Sequence, residues 1–295
     1  MFSRIDPMVR LLVLATLLAS LFPATGPYRE AAQAVSNGAV FLLFFLNGMR
    51  LSRGDVARGM VNWRYLSVLA FWSFGVLALV GMGLAKGLDG FLPPLVALGF
   101  LYLGALPSTV QSATAYTSMA GGNVALAVVA AALLNILGVF VSVPIFSLLG
   151  GGAEAELGTG GLVKIFLILI LPFALGQMLQ SRGGHFVQEH PVLIRWMDRA
   201  AISIAVYVAF SGAVEQGIWG LLDEASWAWL LAGLPAMLVI AYGGAHRSVA
   251  MGAPLALVLF PPETAGLVLV PLLIYHLLQL VVSSPLATRL VKSAG

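Results

Sequence analysis

Long apolar runs, interrupted by short clusters of glycine, proline and charge, follow one another along the whole chain. Taken between those interruptions, the pattern predicts spans at 8–23, 31–49, 64–85, 92–118, 123–149, 161–180, 198–217, 227–243, 244–260 and 264–288. Crossing a bilayer takes about 20 apolar residues in a helix. In hydrocarbon each span must also satisfy its own backbone hydrogen bonds, which makes helix the default. The pattern therefore predicts an all-α polytopic membrane protein of about ten transmembrane helices. Composition agrees: the chain is 60% hydrophobic and 9% charged, with mean hydropathy +0.99, where a soluble domain carries roughly 25% charged residues. Met8–Pro23 has the length of a signal-peptide core, but no A-x-A-like cleavage site follows it, so it reads as the first span.

Charge then orients the spans, because basic residues concentrate in cytoplasmic loops. Arg50, Arg53, Arg58 and Arg64 make the loop after the second span cytoplasmic, and Arg4 and Arg10 agree with it. Glu154 and Glu156 place the loop after the fifth span outside, and Arg182, Arg195 and Arg199 place the next one inside. Glu215, Asp223 and Glu224 then fall outside, while Arg289 and Lys292 keep the tail in the cytoplasm. Both termini inside requires an even number of crossings, which ten satisfies. One stretch strains the count. Ala225–Phe260 must hold two spans and a turn, with about 17 residues for each, the lower limit for crossing. Nine crossings, with one helix fused or missing here, is the alternative.

Two spans carry polar interruptions. In the fourth, Pro107 removes a backbone donor, and Ser108, Thr109, Gln111, Ser112 and Thr114 follow it closely. In the ninth, Gly243 and Gly244 precede His246, Arg247 and Ser248. Either could be a kink with hydroxyls bonded back to helix carbonyls. Interruptions at corresponding places in two halves are, however, the sequence signature of a transporter's central site. The pairing predicts two five-helix repeats, at about 8–149 and 161–290, within one membrane domain covering 1–295.

Function classes drop out by absence. There are no cysteines, so neither disulfides nor thiolate metal sites form. The sequence holds no G-x-S-x-G, H-E-x-x-H or Walker A motif, no Asp deep in a span for a protease dyad, and no nucleic-acid patch. No enzyme activity, cofactor or metal site is expected.

At this point whole segments become recognisable. "LPSTVQSATAYTSMAGGNVALAVVAAALLNILGVF", "FLLFFLNGMRLS", "RSVAMGAPLALVLF" and "LVPLLIYHLLQLVV" resemble the bile acid:sodium symporter superfamily, in particular its bacterial SBF-like branch and the vertebrate seventh-member type. The resemblance implies two inverted five-helix repeats, a panel and a core, with helices four and nine broken and crossing. It implies secondary transport of a small organic anion, typically with sodium, in a bacterial inner (plasma) membrane. Sodium-coupled members carry an acidic residue and a Gln where Tyr242 and His246 stand here, and other sodium ligands fall on Ala127 and Ala131. The nearest branch reads Ser-Gln-Lys-Ser against Ala245–Ser248. A Tyr, a His and an Arg offer little hard oxygen or negative charge, which speaks against sodium coupling. His246 titrates near neutral pH in its ordinary state, so a coupled proton is the alternative to Na+.

The candidate substrate-binding residues are Ser108, Thr109, Gln111, Ser112, Thr114, Asn135, His246, Arg247, Ser248, His276 and Gln279, with helix breaks at Pro107, Gly243 and Gly244. At the midplane Arg247 would attract a carboxylate, sulfonate or phosphate; at the end of a short span it would snorkel to the surface. His276 and Gln279, three apart, share a helix face, suited to bonding between helices. Asn135 is placed to bond the broken fourth helix, and Asn123 to cap the fifth. A carrier of an organic anion is the first reading. A transport-inactive membrane regulator or binding protein on the same fold is the second.

Overall fold

The computed structural model describes residues 7–50, 54, 61–150, 163–241 and 246–294. Their helices are α1 (Pro7–Leu21), α2 (Pro27–Arg50), α3 (Trp63–Gly87), α4 (Pro94–Ala105), α5 (Val110–Met119) and α6 (Val124–Leu148). There follow α7 (Val163–Glu189), α8 (Pro191–Glu215), the one-turn α9 (Ile218–Leu221), α10 (Glu224–Ala241), α11 (Val249–Leu259) and α12 (Pro262–Ala294). Among the described residues no strand forms, only isolated bridges. Six of the helices are long and apolar enough to cross a bilayer, and four shorter apolar helices accompany them. The protein is an all-α polytopic membrane protein.

The fourth span, 92–118, carries the break expected at Pro107: α4 and α5 are separated by extended backbone. One boundary needs correction. The predicted ninth span, 244–260, is no full span: α11 has 11 residues, about 16 Å of rise, half of the roughly 30 Å hydrocarbon core.

The chain forms two compact units, each drawing on both halves of the sequence. The first comprises Met1–Ser52, Glu154–Leu221 and Ala253–Leu269. Here α2 and α7 approach so closely that a Cβ on Gly48 would strike the Phe173 carbonyl, and one on Gly176 the Phe45 carbonyl. Small residues at such contacts let backbones meet where lipid gives helices no hydrophobic reason to associate. Tyr207 on α8 donates to the Phe22 carbonyl beyond α1 at 2.8 Å. Ion pairs mark both ends of the unit. Arg29 lies between Glu215 and Glu263, and Arg50 pairs with the buried Asp198.

The second unit comprises Arg53–Ala153, Leu222–Gly252 and Val270–Gly295. Neighbouring residues fix the run of its helices. Gly81 packs on Phe100 and Gly104, so α3 and α4 are antiparallel neighbours. At one end of α10, Trp229 stacks on Phe91 with centroids 4.6 Å apart. Farther along, Gly233 lies against Leu88 and Phe100, and the Ile240 carbonyl accepts from the Trp72 indole at 3.2 Å. Thus α10 descends beside α4. After it, α11 turns back: Arg247 pairs with Ser108, while Gly252 lies beside Leu106 and Leu272 and accepts from Tyr102 at 2.6 Å. The end of α10 and the residues that lead into α11 therefore both lie near the α4–α5 break, beside Trp72 and Ser73 of α3.

Two π-helical stretches, Phe71–Val76 in α3 and Phe166–Ile170 in α7, were not visible in the pattern, because a single wide turn leaves apolar periodicity almost unchanged. Pro144, Pro235 and Pro254 lie inside continuous helices. At Pro107 the helix stops.

Candidate functional site: the crossing of two broken segments

The site lies within the second unit, where the α4–α5 break meets the residues before α11. Leu106 leaves α4 with extended backbone (φ −75°, ψ 154°), the conformation that a following proline favours. Thr109 is extended too (φ −89°, ψ 136°). Backbone groups exposed by such a break in hydrocarbon need partners, and the structure supplies them one by one. The Thr109 N–H donates to the His246 carbonyl, and the Ser248 N–H to the Pro107 carbonyl, both at 3.1 Å. Ser108 and Arg247 face each other as an isolated antiparallel bridge. The Ser108 carbonyl accepts from Asn135 Nδ2 at 2.8 Å, and the same amide reaches Ala131 at 3.1 Å. Gly138, one turn on from Asn135, leaves room for the Pro107 ring, which a Cβ would strike at 2.6 Å.

Gln279 on α12 completes the second strand of the bridge. Its Oε1 accepts the Arg247 N–H at 2.9 Å, and its Nε2 donates to the Arg247 carbonyl at 3.0 Å. His276 Nδ1 lies 2.7 Å from the same Nε2. Ser248 caps α11, its Oγ accepting from the Met251 N–H at 3.2 Å.

Arg247 is fully buried, which removes the snorkelling reading. Its guanidinium donates through Nη1 to the Leu106 carbonyl, at the C-terminal end of α4, and through Nη2 to the Ser73 carbonyl at 3.1 Å. Ser73 belongs to the π stretch of α3, so the irregular turn presents an acceptor at the crossing. Among the described residues of this unit the carboxylates are Asp89, Asp223 and Glu224, in the α3–α4 loop and at the start of α10.

Beside Arg247 lies a softer polar cluster. His246 is half-buried, with Nδ1 3.1 Å from Ser112 Oγ and Nε2 3.2 Å from Ser283 Oγ. Its ring lies against Tyr116, centroids 5.3 Å apart, and the Tyr116 hydroxyl donates to the Leu280 carbonyl at 3.0 Å. Thr114 bonds back to the Val110 carbonyl at 2.7 Å.

The structure thus brings together Pro107, Ser108, Thr109, Ser112, Asn135, His246, Arg247, Ser248, His276 and Gln279, with Thr114 one turn along α5. The Gln111 side chain, Gly243 and Gly244 lie outside the described residues. Elsewhere, Asn123 caps α6 by accepting from the Leu126 N–H at 3.0 Å. The sequence reading missed Ser73, the Leu106 carbonyl, Tyr116 and Ser283. Tyr116 continues the hydroxyl-rich run of α5, and Ser283 lies four residues, one helical turn, beyond Gln279. Nothing in the sequence marks the two carbonyls.

Burial divides the two half-helices sharply. From Gly99 to Ala105 every residue of α4 is buried, whereas in α5 Ala115, Ser118 and Met119 are exposed.

Comparison with known proteins agrees with this architecture. The sequence model of the SBF-like CPA transporter family (DUF4137) matches residues 6–244 and 228–292. The two matches overlap at residues 228–244, which take in most of α10. The protein PA2026 of Pseudomonas aeruginosa is 36% identical over 94% of this chain and 90% of its own. "Putative symporter YfeH" of Escherichia coli is 34% identical over 98% of this chain and 94% of its own. Sodium/bile acid cotransporter 7 of the mouse is 22% identical over 85% of this chain and 82% of its own. A bilayer-spanning chain built around two crossing breaks, and matched along nearly its whole length by these proteins, belongs to the SBF-like CPA transporter family, within the bile acid:sodium symporter superfamily, and is a transporter.

Proposed function

We propose that the protein is a secondary carrier of a small organic anion, working by alternating access around the crossing. The observation that carries this reading is the meeting of two half-helix N-termini, α5 at Val110 and α11 at Val249, beside the Ser108–Arg247 bridge. Helix N-termini hold partial positive charge and favour anions, and broken helices place them at depth in transporters. Ser112, Thr114 and His246 supply hydrogen-bonding groups around these ends. The sodium/bile acid cotransporter 7 relatives support an anionic, amphipathic substrate class.

In the same reading the basic loops face the cytoplasm of a bacterial inner membrane and both termini lie inside.

The test is uptake into proteoliposomes of a panel of carboxylate, sulfonate and phosphate-ester anions, with and without sodium and pH gradients. Accumulation or counterflow of at least one anion is expected. Absence of flux across the panel overturns the carrier reading. It would favour the second one, a transport-inactive membrane regulator, for which the shortened α10–α11 region speaks.

A further inference from the structure

We propose that the Arg247 guanidinium is the resident cation of the crossing. It occupies the carbonyl oxygens that an exchangeable sodium ion would otherwise take, so that the transport cycle runs without bound sodium. The proposal deepens the carrier reading and rests on it for its meaning, though not for its test.

The reasoning starts from the electrostatics of a broken helix. Half-helix C-termini and unwound carbonyls form a negative site inside the membrane, which attracts cations. At this crossing the Leu106 carbonyl ends α4 and the Ser73 carbonyl issues from the π stretch of α3. They come from two different elements and converge on one group, which already carries a permanent positive charge. A buried charge without compensation is strongly unfavourable, and no described carboxylate of this unit lies at the crossing. The carbonyls are therefore what keeps Arg247 charged and buried, and Arg247 is what satisfies the carbonyls.

The guanidinium is also tethered. Arg247 has its own N–H and C=O clamped by Gln279 at 2.9 and 3.0 Å, and the residues on either side are bonded to Thr109 and Pro107. Unlike a free ion, the charge cannot leave when the site opens. The nearby hydroxyls of Ser112, Ser283 and Ser248 are already in use, whereas the buried Ser73 hydroxyl has no hydrogen-bond partner.

Sodium binding to the purified full-length protein in detergent tests this without any transport assay. Thermal unfolding is compared in sodium and in choline at constant ionic strength, beside saturation binding of radioactive sodium. The wild-type protein is expected to show neither a sodium-specific rise in Tm nor saturable binding, and Arg247→Lys to behave the same way. Arg247→Ala and Arg247→Gln, which leave the carbonyls without a cation, are expected to gain both. With sodium about a hundredfold above its dissociation constant, linkage predicts a rise on the order of 5 °C. Saturable sodium binding by the wild-type protein overturns the proposal, as does a folded neutral variant that gains none. If neither neutral variant folds, the wild-type measurement decides: binding overturns the proposal and its absence supports it. Failure of the carrier reading shows separately, as absence of flux.

Discussion

Gln279 holds the backbone of Arg247 on both sides, accepting its N–H at 2.9 Å and donating to its carbonyl at 3.0 Å. A carboxamide presents the same donor and acceptor as a peptide group, so α12 behaves here as a third strand one residue long. The arrangement lets an extended segment persist inside an apolar protein, where unpaired peptide groups are costly.

Gln279→Leu keeps the volume and removes both bonds, leaving a buried N–H and a buried carbonyl unpaired. Each such group costs about 1–3 kcal/mol, so a loss of stability on the order of 2–5 kcal/mol is expected in denaturation of the purified protein. Gln279→Glu retains an acceptor for the N–H but offers no donor to the carbonyl. It should not restore the wild-type value.

Asn135 secures the other side of the crossing through the Ser108 carbonyl. Asn135→Leu should destabilise the protein by about 1–3 kcal/mol for the same reason. Because Ser108 immediately precedes the start of α5, anion uptake in proteoliposomes should fall more than the amount of inserted protein does.

Gly138→Val tests packing rather than hydrogen bonding. Its Cβ would meet the Pro107 ring at 2.6 Å, and overpacking of this kind costs roughly 1–3 kcal/mol. Gly83→Ala, at a helical glycine with open space around it, is the control, with an unchanged or slightly raised Tm expected.

The absence of native cysteine makes single-cysteine labelling direct. Asp223→Cys and Pro261→Cys flank the 225–260 region and, with both termini inside, should react with an impermeant maleimide from the same side of the membrane. Labelling from opposite sides would mean that this region crosses once. Ser118→Cys, on the exposed side of α5, should react with a permeant maleimide, whereas Ala105→Cys, buried at the end of α4, should stay unlabelled.

Pro107 shows how much of the site the sequence carried. A proline followed by hydroxyls and an amide marks a break because the lost donor and the polar side chains belong to the local chain. His246, Arg247 and Ser248 were legible as an interruption on the same grounds. Their roles were not. Whether Arg247 lay at a surface or at the crossing depended on where the carbonyls of Leu106 and Ser73 stand, on elements well over a hundred residues away. The compressed 225–260 region was likewise legible as a shortage of residues, while the placing of Ile240 and Arg247 near the α4–α5 break needed the contacts of Trp72, Ser73 and Ser108.

The sequence by itself determined that the chain lives in a bilayer, where its helices run and which of them break. Each of these follows from local apolar length, proline and glycine chemistry, and the obligation of every peptide group in lipid to find a partner. Tertiary structure alone decided which partners those were. The Ser108–Arg247 bridge, the Gln279 clamp and the carbonyl seat of the guanidinium join residues far apart in sequence. Such pairings leave no local pattern, because nothing in the neighbouring residues depends on them.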